Sequence, residues 1–442
     1  MKLRAKPALL ILLLGGFSFA LSAAPQQKTP KQPAAKRRTV RVEDPQQALL
    51  TQADEAIEKK DFPRAVEALQ KYIAEKPDDA YAHFQLAFAF DRMSKYDDAA
   101  AEYRRAIAID PKLAAAYQNL GALLVKLQPA EARQLLATAA QLQPDNIEVT
   151  FLRGVAEEGL GKPELAIEYF RQAARARPEN FQFRLVYAGK LLQLARAAEA
   201  DPEFRAAIAM KDDVPEAHLG LADCLVAQRK PTEAIPPLRK YLTLQPGDGE
   251  NRVRLAWLLF DTEKFDAAAA ELSRAEALGI ASTTAMKLRA SLLIHGQRID
   301  DAIAVAAKIV AAEPTDAEWR ARLGRLHLEK RDFPAAEREL LSALRLNSKL
   351  TDVVRDLVAV YYLGEKYEPA LRVQDELARR ETPNAGWWFI RGVCYDKLQK
   401  LPEAIAAYEK FLALDEGRSD KQGFQARQRI RTLKRELERT RK

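Results

Sequence analysis

Alanine recurs in one frame along almost the whole chain, at Ala65, Ala99, Ala132, Ala166, Ala200, Ala234, Ala268, Ala302, Ala336, Ala370 and Ala404. The steps are 34, 33 and then eight more of 34; the single 33 falls where the "LQPAEA" turn before Ala132 is one residue short. A period of this length outranks any local motif, because it means one supersecondary unit repeated until its neighbours bury its apolar faces. It also resolves a problem of size, since 442 residues exceed what a single compact core normally supports.

The unit reads as two helices. In residues 80–113, His83, Leu86, Ala87 and Phe90 follow the i, i+3, i+4, i+7 spacing of a helical stripe. "SKYDD" interrupts it. A second stripe, Ala99, Tyr103, Ala106 and Ile107, then ends at Asp110 and Pro111, where proline lacks the donor to continue. No stretch alternates as a strand does, and the abundant Ala, Leu, Glu, Lys, Arg and Gln favour helix. The expected fold is all-α, an α-α superhelix of about eleven helix-turn-helix units over residues 46–418 with a C-terminal capping helix at 419–442.

These residues resemble the tetratricopeptide repeat family. The clearest matches are Leu120 and Gly121 with Ala132 and Pro144; Gly154 with Ala166, Phe170, Ala173 and Pro178; and Trp388, Gly392, Tyr395, Ala404 and Tyr408. The closing proline is missing after the units centred on Ala268, Ala336 and Ala404. The spacing predicts a close crossing of the two helices of a unit, Ala166 facing Gly154 and Ala404 facing Gly392, with Phe170 and Tyr408 filling the wider gap.

The ends differ from the array. Residues 1–24 carry Lys2, Arg4 and Lys6, an apolar run from Ala8 to Ala24 and small residues near Ser22–Ala24, which is the pattern of a secretory signal peptide. An uncleaved anchor is the alternative, since the run approaches the ~20 residues a membrane span needs. Residues 25–45 are basic and rich in Pro and Gln, as a disordered linker is. The expected location is therefore outside the cytoplasm, in a bacterial periplasm. Residues 1–45 carry +7 and residues 419–442 carry +6 of a net charge of +8, so the array itself is acidic at −5. A contact with an anionic membrane or polymer would run through these ends. Specific nucleic-acid reading is not expected, because no recognisable nucleic-acid module is present.

Little chemistry is written in the chain. His83, His218 and His327 occupy frame positions where the family places aromatic core residues, and His295 lies in a turn. No H-E-x-x-H or CxxC spacing occurs, nor a phosphate-binding loop, dinucleotide fingerprint or G-x-S-x-G elbow. Cys224 and Cys394 share a frame position five units apart; with helices packing at ~8–10 Å they are too distant to bridge. No catalytic residue, metal or cofactor is expected.

What the resemblance implies is a binding surface. In the family, positions two, five, nine and twelve of the first helix line a concave groove. Here they give Phe84, Phe88, Phe151, Leu185, Leu219, Val253, Trp257, Phe260, Tyr362 and Phe389, with Val155, Gly189, Asp223 and Val393 among them. Family members that grip a carboxylate use Lys at five and Asn at nine; here Lys287 is followed by Ser291 and Arg355 by Ala359, so no such clamp is expected. Two outcomes fit the pattern. Either the aromatics line an open groove, with Trp257 and Phe260 as anchors for a partner peptide or helix, or they pack between neighbouring units. Arginine stands where leucine is usual at Arg153, Arg289 and Arg391, and Glu157 is within reach of Arg153 one turn on. The functional expectation is a non-catalytic protein-binding scaffold of the cell envelope; the alternative is an accessory protein of envelope assembly or secretion acting at the membrane surface through its basic termini.

Overall fold

The computed structural model describes residues 45–416 and 420–440, so the expected signal peptide at 1–24 and all but the last residue of the expected linker at 25–45 lie outside the described residues. Twenty-three helices and no strand are found among the described residues, and they fall into two compact units, one ending at Gln245 and the other beginning at Pro246.

The first unit holds α1 (Pro45–Glu58), α2 (Phe62–Glu75), α3 (Ala80–Arg92), α4 (Tyr96–Ile109), α5 (Ala114–Leu124), α6 (Pro129–Leu142), α7 (Ile147–Gly159), α8 (Pro163–Ala176), α9 (Phe181–Gln193), α10 (Ala197–Met210), α11 (Pro215–Ala227) and α12 (Pro231–Leu244). The second holds α13 (Gly249–Asp261), α14 (Phe265–Ala277), α15 (Thr283–His295), α16 (Ile299–Ala312), α17 (Ala317–Glu329), α18 (Phe333–Leu346), α19 (Thr351–Leu363), α20 (Tyr367–Ala378), α21 (Ala385–Lys397), α22 (Leu401–Asp415) and α23 (Asp420–Thr440). Odd and even helices pair, and within each unit successive pairs stack on one another.

Local signals start the helices. The side chains of Asp79, Asn146, Asn180, Asp248, Asp316 and Asn384 each accept a backbone N–H of the first turn that would otherwise be orphaned. Proline opens α6, α8, α12 and α22 at positions where a missing N–H costs nothing. Inside nearly every pair the chain reverses on one left-handed residue, again 34 apart: Lys60, Ser94, Gly161, Ala195, Arg229, Glu263, Gln297, Arg331, Glu365 and Gln399. The third pair is the exception. There α5 stops after 11 residues where α7 has 13, and the turn at 125–128 has four residues instead of three and none with positive φ, so the pair is one residue short overall.

All eleven frame alanines are buried, none more than 1% exposed. The crossing they serve differs from the expected one. A Cβ on Gly154 would stand 2.7 Å from the ring of Phe170, and one on Gly392 would stand 2.7 Å from the ring of Tyr408. The glycine therefore makes room for the aromatic of its own second helix rather than for the alanine; Leu136 and Leu340 seat against Gly121 and Gly324 in the same way. The ring, not the methyl, is the larger volume to be accommodated at the crossing, so the glycine notch forms under it.

The capping helix buries one narrow stripe. Ala426, Ile430 and Leu433 are buried and Leu437 partly so, whereas Phe424 is 62% exposed. At 100° per residue the buried stripe runs 426, 430, 433, 437, and position 424 points about 200° away from 426.

Candidate functional site

The apolar residues expected at position five of the first helices, and Trp257 at position nine, prove to be core. Phe84, Phe151, Leu185, Leu219, Val253, Trp257 and Phe389 are all buried. Phe151 shows why: its ring lies 5.1 Å from Phe170 on its own second helix and 4.8 Å from Phe183 on the next pair. Position five points into the seam where two pairs meet, so a large apolar side chain there is consumed by stacking. Trp257 is held likewise, its Nε1–H donating to the Thr284 carbonyl at 3.3 Å, and it packs with Leu272, Ala285 and Leu288. It is not an exposed anchor. The packing alternative holds for these seven residues, while Phe88, Phe260 and Tyr362 remain partly exposed.

Position twelve is where apolar surface stays open. In the second unit Phe260, Ile294, Leu328 and Tyr362 stand 34 residues apart on α13, α15, α17 and α19, and each is half-buried. Ile294 and Leu328 are not among the expected groove residues, although they stand in the same 34-residue frame as Phe260 and Tyr362. In the first unit the same position is mixed, with Asp91, Glu158, Leu192 and Val226. Burial holds the Asp91 carboxyl above its ordinary range, the neighbouring Arg92 offsetting this only in part.

The cations of these helices are spoken for. Lys287 Nζ donates to Glu313 at 2.6 Å and to Asp316 at 2.7 Å. Burial works against its charge, yet the bonds and charges of Asp316 and Glu313 outweigh that and raise its pKa. Arg355 is bonded to Asp352 and Glu381. Neither is available to grip a partner's carboxylate. Replacing Lys287 with alanine leaves two acids facing each other without a cation, and since both are partly solvated the expected loss is about 1–3 kcal/mol by urea denaturation; an unchanged midpoint would show that solvent screens the cluster fully.

The unusual arginines form structural pairs. Arg153 does not pair with Glu157; it bonds the Tyr169 hydroxyl at 2.7 Å and lies over that ring. Arg289 pairs with Glu276, and Arg391 with Asp375 at 2.7 Å. His83 and His218 are buried and His327 partly so; His83 bonds Glu102 at 2.6 Å and the Pro77 carbonyl at 2.9 Å. His295 stacks on Phe265. Cys224 and Cys394 are free, fully buried thiols whose pKa burial pushes up to about 12. Among the described residues no group of His, Cys, Asp and Glu is arranged to hold a metal, and no helix is long and apolar enough to cross a membrane.

Comparison with known proteins agrees with this architecture. A family model described as TPR repeat matches residues 92–128, and models described as tetratricopeptide repeat match residues 122–181, 190–249, 253–317, 293–361 and 385–418. Among curated relatives, a homologue of the BBSome complex member BBS4 from Drosophila melanogaster is 24% identical over 303 residues, 65% of this chain and 62% of that protein. The human protein O-mannosyl-transferase TMTC3 is 22% identical over 334 residues, 71% of this chain and 36% of that protein. The chain thus spans less than two thirds of the length of either. Among solved structures, the C-terminal part of a repeat-containing protein from Cytophaga hutchinsonii is 19% identical with a TM-score of 0.47, covering 53% of this chain and 97% of that one. YrrB, a repeat protein described as having an unusual peptide-binding site, is 22% identical with a TM-score of 0.38, covering 45% of this chain and 100% of that one. With eleven in-phase alanines buried in paired helices and matching models spread from residue 92 to 418, this chain belongs to the tetratricopeptide repeat family.

Proposed function

We propose that the protein is a non-catalytic scaffold of the cell envelope that holds a segment of a partner protein along the inner face of its second unit. A protein-interaction role is what this fold generally serves. The observation that carries the finer reading is the in-phase row Phe260, Ile294, Leu328 and Tyr362, half-buried on four successive first helices. A row of apolar side chains left open at a regular interval suits an amphipathic helix or an extended segment that presents apolar residues at intervals. The envelope location is supported by the basic start, apolar run and small residues of positions 1–24.

A photo-crosslinking residue at Leu328 tests this in living cells, with the exposed Leu341 on the outer helix α18 as control. The expected result is a discrete adduct from position 328 in the envelope fraction, absent from position 341. Combining Phe260→Ser with Tyr362→Ser should weaken the adduct at least roughly tenfold, as loss of central apolar anchors does. Equal adducts from both faces would remove the groove, and an adduct confined to the cytoplasmic fraction would remove the envelope.

A further inference from the structure

α23 packs on the second unit through one face and leaves the other to solvent. The packed face carries the buried Ala426, Ile430 and Leu433, flanked by Arg429 bonded to Asp396 and Lys434 bonded to Glu409. At 100° per residue, Lys421, Phe424, Arg431, Arg435 and Arg439 fall within a sector of about 80° on the opposite side. All five are exposed, and Phe424 is the only aromatic residue of the helix. Among the described residues, none of these four cations has an ion-pair or hydrogen-bond partner, in contrast to Arg429 and Lys434 on the flanks. Elsewhere exposed cations are answered from within their own turn or helix, Lys59 by Glu55, Lys71 by Glu67 and Arg298 by Asp301. On α23 the described acid side chains lie off the row: Glu436 is half-buried and acts on Arg429, and Glu438 borders the row on the side where Arg427 adds a further exposed cation.

A solvating cap does not require this pattern. Any polar outer face closes a stack of repeats, whereas Arg431, Arg435 and Arg439 follow one another at i, i+4, where like charges repel and weaken a helix. The helix dipole favours cations in the last turn only, which covers Arg439 but neither Lys421 nor Arg431. A row of unpaired cations is complementary to an anionic surface, and such a surface relieves the repulsion. The shape of the face narrows the choice. Single-stranded nucleic acid is held in a groove with successive aromatic platforms, and one ring on a convex helix offers no such groove. Clusters of about four to eight Lys and Arg on a helix face suit anionic headgroups, and a ring among them suits the boundary between headgroup and acyl chain. We infer that the outer row of α23 is an electrostatic docking face for an anionic phospholipid bilayer, with Phe424 as its apolar contact. Attachment of this kind is reversible and salt-sensitive. It goes beyond the partner-binding reading and does not depend on it.

The test uses the full chain with a polarity-sensitive dye attached at Gln428→Cys, in the middle of the row, or at Leu341→Cys on α18 as control; both positions are exposed. Cys224 and Cys394 are fully buried and should stay unlabelled. Because the apolar run of residues 8–24 can bring the chain to any bilayer, the local dye is read rather than sedimentation. At one fixed lipid concentration, the response at 428 should be at least roughly fivefold larger on vesicles of phosphatidylcholine with phosphatidylglycerol than on phosphatidylcholine alone. That is the weight of a single cation near an anionic surface, and so a lower bound for four. The dye at 341 should respond equally little to both. Combining Arg431→Gln, Arg435→Gln and Arg439→Gln should bring the response at 428 down to the neutral-vesicle level, lysine at the same three positions should keep it, and Phe424→Ser should lower it. Circular dichroism checks that each variant is folded, and a salt titration of the chain carrying only Gln428→Cys, which should abolish the response, needs no further variant. Equal responses on both vesicles, insensitivity to salt, or a full response by the folded glutamine variant would overturn the docking face. A response to duplex DNA or polyglutamate as large as that to anionic vesicles would overturn the lipid assignment. The Leu328 adduct should persist in the glutamine variant, and its loss from the unsubstituted chain would remove the partner row without touching α23.

Discussion

Phe170→Ala is expected to destabilise the first unit by about 3–5 kcal/mol, the range for removing a fully buried ring. The ring is 0% exposed, lies against Phe151 at 5.1 Å and covers Gly154, so truncation leaves a hole that neighbouring backbone cannot fill. In a stack of repeats, stability is a sum of unit and neighbour terms. The loss should therefore be local. Hydrogen exchange is the informative measurement: amides of α7, α8 and α9 should lose protection while those of α19 and α20 keep theirs. A uniform drop along the chain would mean that the stack unfolds as one body and would refute the neighbour-limited picture; no change would refute the notch.

The second large effect concerns the capping helix. Arg429 on α23 grips Asp396 on α21 with two bonds, 2.7 Å from Nε and 2.6 Å from Nη2, and the Tyr408 hydroxyl donates to the same carboxylate at 3.3 Å. Asp396 is 8% exposed, and Tyr408 is nearly fully buried with its pKa pushed far up by that burial and by the neighbouring Asp396. Asp396→Ala leaves a guanidinium and a hydroxyl without their shared acceptor. Breaking a buried pair costs about 3–5 kcal/mol, and the partial exposure of Arg429 brings the expected figure to about 2–4 kcal/mol. Because α23 is rich in arginine and lysine, trypsin reports its detachment directly. Removal of the C-terminal segment should speed up by more than roughly tenfold, since 1.4 kcal/mol is a factor of ten. An unchanged cleavage rate would show that the apolar stripe of Ala426, Ile430 and Leu433 holds the helix by itself.

Much of the fold is legible in the sequence. Ala166 and its ten counterparts announce the period, "SKYDD" and Pro111 announce where helices stop, and both statements rest on short-range rules: side chains recur every 3.6 residues, and proline cannot donate. The candidate site was less legible. Phe84, Phe151 and Trp257 look like a groove by position and by size, yet a position number does not say whether the next pair covers it. Phe151 is covered because Phe183 of the following pair reaches it, and that contact is set by how pairs stack. The open row was within reach, since Ile294 and Leu328 share the frame of Phe260 and Tyr362.

The chain by itself determined that helix pairs would repeat, which alanines would be buried, and that one pair was a residue short. Tertiary structure alone decided that Phe170 rather than Ala166 sits over Gly154 and that Phe424 faces outward. It also decided that the array divides at Gln245, although the 34-residue step from Ala234 to Ala268 passes that boundary unchanged. The reason is one of range: periodicity and chain breakers act within a few residues of sequence, whereas covering a side chain or leaving it open depends on which surfaces distant segments bring together.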